Sequence, residues 1–407
     1  MNKNSKQANN GRPRGGGPLA GLRVVEMGQL IAGPFCGQLL ADLGAEVIKI
    51  ELPGKGDPMR DWGRKLPVWW SIIARNKKCI TLDVRTQAGR EIALDLAAQS
   101  DIVLENFRPG TMEKWGLGYD ELCAVNAGII LTRVSGYGQD GPYSGRAGYG
   151  GIGEAMGGLR YIVGDPAKPP SRVGISIGDS LAALFACVGT LAAVHSREHT
   201  GRGQVVDSAI YEAVLGVMES TVPEYTVGNF IRERTGSILP GLAPSNVYPA
   251  KDDRMVLIGA NQDSVFQRLC AAMDRPELAE DERYQTHLAR GENQRELDEV
   301  IAGWTKQFDT EELLDRLEEN GVPAGKMYRA PDMLDDPHYR ARQSIIEVDH
   351  TRYENLKMQN VFPRFSSTPG SVNWPGPEVG QHNGDVYSEL LGYDDDRLET
   401  LKQDGII

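Results

Sequence analysis

The residues best suited to chemistry are Ser176-Ile177-Gly178-Asp179-Ser180. One carboxylate stands in a turn of small residues, and a nearly all-apolar run, residues 181–194, follows at once. That run is shorter than the ~20 residues a bilayer crossing takes, so it reads as a helix buried on most sides. Asp179 then falls where an N-cap would sit, at the positive end of the helix dipole. Capping is one role for it. The other is nucleophilic: a partly desolvated aspartate, held ionised by helix amides, can attack a carbonyl. Gly178 on its upstream side would let a bulky substrate approach the backbone. The local residues leave both roles open.

Other chemical motifs fail on context. Gly148-Tyr149-Gly150-Gly151-Ile152-Gly153 satisfies GxGxxG, but no strand precedes it, and a chain with 48 glycines produces such matches by chance. His195 and His199 have the spacing of a zinc pair without a third ligand; histidines near a helix C-terminus, favoured by the dipole, account for them. No metal site is expected. There is no Walker loop, no GxSxG elbow and no recognisable Ser/His/Asp set.

These groups need a scaffold, and 407 residues exceed what one hydrophobic core usually supports, so two domains are expected. A content of 40% hydrophobic and 25% charged residues is that of a soluble globular chain. A net charge of −12 argues against nucleic acid as a partner and leaves room for local basic patches that take anionic ligands. The five cysteines, odd in number and without CxxC, suit buried free thiols of a reducing compartment. Residues 1–17 are polar and glycine-rich with no apolar core, the pattern of a flexible tail and not of a signal peptide. With no membrane span evident, a cytoplasmic protein is expected.

From residue 19 onward, short β-rich runs alternate with helical stretches. Strands are expected at residues 22–27, 46–51, 79–83, 101–106, 128–134 and 204–207, with helices over 34–43 and 87–98. This alternation predicts an α/β fold with a parallel, doubly wound sheet. Ligands in such sheets bind beyond the carboxyl ends of the strands, here Glu51, Asp83, Asn106-Phe107-Arg108 and residues 135–138. Residues 136–178 read as loop. A helix over 210–227 is expected to kink at Pro223. The glycine- and proline-rich residues 235–249 mark a crossing into a smaller domain, with a strand at 255–260 and helices over 264–273, 292–308 and 310–320. A short helix at 332–342, a strand at 345–348 and a final helix complete the chain. The expected division is a tail at 1–17, a large domain over 18–225, a small domain over 226–330 and a return to the large domain over 331–407.

An ordered set of motifs then resembles one family. It comprises residues 22–27, Gly33-Pro34, residues 44–51, Asn76-Lys77-Lys78, residues 105–110, Gly178-Asp179, residues 200–204 and Gly380-Gln381-His382. The family is the class III coenzyme A transferases, the CaiB/BaiF group, which includes formyl-CoA transferase and carnitine CoA-transferase; the α-methylacyl-CoA racemases share its fold. The resemblance implies an interlocked homodimer whose large Rossmann-like domain is built from both ends of the chain. It implies an enzyme that moves CoA from an acyl-CoA donor to a free carboxylic acid, with Asp179 carrying the CoA as an aspartyl thioester. No tightly bound cofactor is expected, since the CoA thioester is substrate.

By the same matching, Leu82 and Arg85 lie near the nucleotide, Asn106, Phe107 and Arg108 along the pantetheine and adenine, and Lys114 meets a phosphate. Two arginines and a lysine around strand ends suit an anionic nucleotide. The chain departs from the family pattern in places. Ile31 stands where formyl-CoA transferase has glutamine, and Leu52 where many members have arginine. Gly150 follows the aromatic Tyr149 where many transferases have an acid, and Glu154 lies one turn on. The racemases place a His-Asp pair at Tyr149-Gly150, so epimerisation is the weaker alternative, beside a non-catalytic CoA-binding protein. Arg232 or Arg234 is expected to hold the second carboxylate of a small dicarboxylate acceptor.

Overall fold

Apolar, β-branched runs separated by helices build a six-stranded parallel sheet. The strands are β1 (Arg23–Glu26), β2 (Glu46–Glu51), β3 (Lys77–Thr81), β4 (Ile102–Glu105), β5 (Ile130–Ser135) and β6 (Val205–Ala209). Their order is β3-β2-β1-β4-β5-β6, every neighbouring pair parallel. This is the doubly wound order, in which the chain reverses between β1 and β4 and opens a crevice at their carboxyl ends. The structure is a computed structural model and describes residues 16–63 and 66–407. The expected tail, residues 1–17, lies outside them apart from Gly16 and Gly17.

Helices of the same unit include α1 (Ala32–Asp42), α2 (Gln87–Ala98), α3 (Gly150–Met156), α4 (Ile177–Thr200) and α5 (Ile210–Leu215), and α6 (Thr221–Gly228) follows them in the chain. One apolar cluster joins Val25, Ile48, Ile80 and Val103 of the sheet to α2 and to the C-terminal Tyr387, Leu401 and Ile406. On the other face, Val24, Val47, Leu104 and Ile130 pack with α1 and the small-residue stripe of α4. Both ends of the chain therefore contribute to one unit, made of residues up to Leu159, Val173–Val222 and Ala341–Ile407.

The second unit comprises Arg160–Arg172 and Pro223–Arg340. It carries the antiparallel sheet β7-β8-β9 (Ser245–Pro249, Met255–Gly259, Ala324–Lys326), and its longer helices are α7 (Asp263–Ala272), α8 (Gln294–Thr305) and α9 (Thr310–Glu319). Its core is separate and centres on Val256, Ile258, Phe266, Leu297 and Leu313. The division differs from the expected 226–330 at both ends, and it adds residues 160–172. Those residues join it through main-chain and side-chain bonds: Gly236 N donates to Gly164 O at 3.0 Å, and Tyr161 OH donates to Glu233 at 2.7 Å.

Several expected elements change. The single helix over 210–227 is two, broken at residues 216–220, where Glu219 has a φ of +50°. Pro223 lies in the first turn of α6, where its missing N–H costs nothing, so it makes no kink. The helix over 292–308 is interrupted at Asn293, and that over 332–342 at Asp336, just before Pro337. Residues 245–249, expected as loop, form β7. The helix after Asp179 is α4, and its 24 residues are long and apolar enough to cross a membrane by length and composition alone. It is not buried on most sides. Its buried stripe is Gly178, Ala182, Ala183, Ala186, Cys187, Thr190 and Ala193, while Leu184, Phe185 and Val188 are exposed.

The outer edge of β3 would be a template for unwanted pairing, and the C-terminal segment covers it with side chains that imitate a strand. Cys79 N donates to His382 Nδ1 at 3.1 Å, and Thr81 N donates to Asn383 Oδ1 at 2.9 Å. In return His382 N donates to Cys79 O at 3.0 Å, and Tyr387 OH to Thr81 O at 2.6 Å. His382 must be neutral to accept at Nδ1. Burial holds its pKa below the ordinary value, and the Lys78 cation pushes the same way against Asp385. His350, whose Nδ1 accepts from Arg352 N at 2.9 Å, is depressed by burial and by Arg352. The unfolded chain therefore takes up these protons at about pH 6.5 while the folded chain does not. Stability is complete above that pH and falls as the pH is lowered through it. His382→Gln keeps an acceptor and removes the titration. Its unfolding midpoint in urea should fall less between pH 7.5 and 5.5 than that of wild type, with the remaining slope due to His350 and the carboxylates.

Candidate active site at the carboxyl edge of the parallel sheet

The crossover from β5 to β6 runs α4 against the strand direction, which places its N-terminus at the carboxyl edge of the sheet. The close packing of Gly178 with Ile210, just past the end of β6, shows this directly. Ser176, not Asp179, is the cap residue, and Asp179 is the third residue of the helix. The helix starts earlier because Ser176 O accepts both Ser180 N and Ser180 Oγ at 3.0 Å. Asp179 remains in the first turn, so the dipole still favours its charged form. It is partly exposed.

What holds the carboxylate is a helix the sequence did not suggest. In α3, Gly150, Gly153 and the following Gly157 lie on one face, and each fills a contact with no room for a side chain. A Cβ at Gly150 would stand 2.2 Å from Asp179 Oδ2; at Gly153, 2.4 Å from Ile210 Cγ2; at Gly157, 2.6 Å from Val214. Gly178 is equally tight, 2.8 Å from Gly150 O by the same measure. The GxGxxG match is thus a close-packing face, not a dinucleotide loop. Glu154, from the same helix and 1% exposed, accepts Gly178 N at 3.3 Å. The position of the racemase His-Asp pair holds neither group: Tyr149 is 70% exposed, and the space a side chain at 150 would fill belongs to the Asp179 carboxylate.

A cleft of about 190 Å³ opens at the ends of β1 to β4. Met27, Gln29, Leu52, Leu82, Arg85, Phe107 and Trp115 line it. The Phe107 and Trp115 rings meet edge to face at 5.0 Å. Phe107 N donates to the buried Glu105 at 2.6 Å, and Arg133 holds that carboxylate at 2.7 Å, which fixes the start of the loop. Arg85 grips Asp83 through two bonds of 2.7 and 2.6 Å with its side chain largely exposed, and that contact holds Asp83 below the usual carboxylate range. Arg108 and Lys114 are exposed on the same loop and the turn after it.

The remaining expected site residues are placed differently. Ile31 is buried in a cluster with Met59, Trp70, Ile73 and Cys79, so its side chain is spent on the core. Asn106 spends its amide on the Gln29 main chain. In the second unit Arg232 is paired with Glu224 at 2.7 Å, and Arg234 donates to Tyr161 O at 3.0 Å with its guanidinium over the Tyr161 ring. His195 and His199 pack edge to face near the end of α4, and His199 Nδ1 donates to His195 O at 2.9 Å. Sequence reasoning overlooked Gln29 and Trp115. The rule that ligands meet strand ends, applied to β1 as to the other strands, would have found Gln29; Trp115 lies on a turn with no periodic signal.

The seat of Asp179 is testable. Gly150→Ala should displace the carboxylate, and misplacing a reacting group by about 1 Å costs on the order of 100-fold in rate. The substitution should lower stability by about 1–3 kcal/mol, the cost of overpacking. Measuring kcat beside the thermal midpoint separates the two effects, and an unchanged kcat would remove Gly150 from the site.

Comparison with known proteins gives this geometry a family. The pattern of CoA-transferase family III matches residues 19–383. A succinyl-CoA–D-citramalate CoA-transferase of Chloroflexus aurantiacus is 57% identical over 394 residues, covering 96% of this chain and 98% of that protein. A succinyl-CoA:mesaconate CoA-transferase of Haloarcula hispanica is 35% identical, covering 94% and 99%. Among solved structures, a CaiB/BaiF family protein of Brucella suis superposes with a TM-score of 0.82 at 33% identity, over 92% of this chain and all of the other. With an aspartate seated at the head of α4, a cleft at the strand ends of a doubly wound sheet and relatives of this kind over nearly its whole length, the chain belongs to CoA-transferase family III and is a CoA-transferase.

Proposed function

We propose that the protein transfers CoA from succinyl-CoA to a small dicarboxylic acid through a thioester on Asp179. The observation that carries the reading is the Asp179 carboxylate, held on Gly150 in the first turn of α4 and partly open to solvent. An Asp179 oxygen attacks the donor thioester carbonyl, the C–S bond breaks, and the CoA thiolate leaves an aspartyl anhydride. The thiolate then attacks the Asp179 carbonyl and expels the donor acid. The acceptor carboxylate attacks the resulting aspartyl thioester, and the thiolate released captures the acceptor acyl group, which frees Asp179. Atoms and charge balance at each step. The covalent steps retain the acyl energy that water would otherwise take.

The nucleotide end of CoA is assigned to the cleft lined by Leu82, Arg85 and Phe107, with Arg108 and Lys114 placed to meet phosphates. The dicarboxylate follows from the relatives, whose names join succinyl-CoA to D-citramalate, mesaconate, L-malate or glutarate. Arg234 is the better candidate for the acceptor's second carboxylate, because Arg232 is already neutralised by Glu224. Exposed Tyr149 is assigned to the acceptor side, and buried Glu154 to holding the start of α4 through Gly178 N. We further assign the exposed apolar face of α4, with Val188 66% exposed, to a second copy of the chain in an interlocked homodimer. Five free cysteines fit a cytoplasmic location.

Wild type incubated with succinyl-CoA and then hydroxylamine should yield a modified peptide that contains Asp179. Asp179→Asn and Asp179→Ala should lose transfer by more than about 1,000-fold with the fold intact; near-normal turnover in either would overturn the covalent route. Arg234→Ala should cost about 2–3 kcal/mol in kcat/KM with a dicarboxylate acceptor and little with a monocarboxylate of similar length. Equal small effects on both would free Arg234 from this role.

A further inference from the structure

Residues 28–31 connect β1 to α1 at the edge of the cleft, and three side chains from distant parts of the chain fix their main chain through four hydrogen bonds. Asn106 forms a two-way clasp: Gln29 N donates to Asn106 Oδ1 at 2.7 Å, and Asn106 Nδ2 donates to Gln29 O at 2.9 Å. Leu30 N donates to Asp57 Oδ1 at 3.1 Å, and Lys49 Nζ donates to Gly28 O at 2.6 Å. Asp57 and Lys49 are both buried and are paired with each other at 2.9 Å.

Two further facts show that the clasp is built. Leu30 has a φ of +64°, a conformation that a residue with a Cβ resists. The Asn106 side chain fits only because glycines flank it: a Cβ on Gly28 would lie 2.8 Å from its Oδ1, and one on Gly33 would lie 3.1 Å from its Cγ. Both ends of the amide are committed to the turn, and one lone pair and one N–H remain. Gln29, by contrast, is exposed on the cleft wall.

We propose that Asn106 is a positioning residue, not a CoA contact: with Asp57 it holds residues 28–30 in a left-handed turn so that Gln29 and its main chain meet the thioester substrate. This rests on the assignment of the cleft to CoA above. Strain at Leu30 is what the clasp works against, so relieving that strain should compensate for losing the clasp.

The experiment compares Asn106→Ala, Leu30→Gly and the double variant in the full-length protein, with CoA and succinyl-CoA as probes. Asn106→Ala should raise KM for succinyl-CoA, and Kd for CoA by calorimetry, about 10-fold or more, with kcat changed less than about threefold. Leu30→Gly in that background should recover most of the loss. A KM that does not move in Asn106→Ala would overturn the proposal. So would a double variant as poor as Asn106→Ala, because Asn106 would then touch CoA itself. Hydrogen exchange in the free protein tests the clasp apart from any ligand: the Gln29 and Leu30 amides should exchange faster in Asn106→Ala, and unchanged protection would overturn it. If wild type fails to bind CoA at all, the assignment of the cleft falls, while the exchange result still decides the clasp.

Discussion

Much of the large unit depends on one buried carboxylate. Glu26, in the central strand β1 and inaccessible to solvent, accepts Lys77 of β3 at 2.7 Å and lies 3.2 Å from Lys49 of β2. Lys77 also donates to Pro34 O at 2.7 Å, and α1 approaches so closely that a Cβ at Gly37 would stand 1.8 Å from the Glu26 carboxylate. Three strands and a helix are thereby tied at one point, with two ammonium groups balanced by Glu26 and Asp57. Burial works against the charge on Lys49, but Asp57 and Glu26 outweigh it and raise its pKa; Lys77 is held below its ordinary value by burial despite Glu26. Such a network adds little net stability compared with an apolar core, yet removing a single partner costs about 3–5 kcal/mol. Its value here is geometric. It fixes strand order and the path of residues 28–31 together, so the cleft edge inherits the rigidity of the sheet.

From the same anchor the site is assembled by exclusion of side chains. Gly37 admits the network, Gly28 and Gly33 admit Asn106, and Gly150 admits Asp179. Each glycine places a polar group against main chain, where a Cβ would have forced it away. The cost is helix propensity, roughly 1 kcal/mol per glycine in a helix interior. α3, with glycines at 150, 151 and 153, forms because its packing on α4 and α5 outweighs that cost.

These facts explain what could be read from the sequence. The sheet was legible because its strands are short apolar runs whose spacing follows the crossovers. Asp179 stood out as a carboxylate ahead of an apolar helix, but Asp is a favoured cap, and only the family resemblance set it apart from one. The start of α4 was misplaced by three residues, since Ser176 and Asp179 are both good caps and only the main-chain bonds to Ser176 O decide between them. α3 could not be read, because glycines that signal loop locally serve a close contact made with residues some 30 to 60 positions away. The clasp made by Asn106 was hidden for the same reason. That residue's position beside Phe107 in a ligand-binding motif was visible, and its bond to Gln29, 77 residues earlier, was not.

The proposed chemistry also needs no histidine. Two of the six histidines give Nδ1 to main-chain amides, two pack together near the end of α4, and His287 is bonded to Asn261 O. In the proposed sequence of exchanges the attacking and leaving groups are carboxylates and a thiolate, and thiols ionise near about pH 8.5. No proton has to move in the transition state, so general acid–base catalysis has nothing to contribute. What the proposed route requires instead is one carboxylate kept charged, correctly aimed and within reach of a thioester. A helix N-terminus supplies the first, a glycine seat the second, and a cleft edge fixed to the sheet core the third.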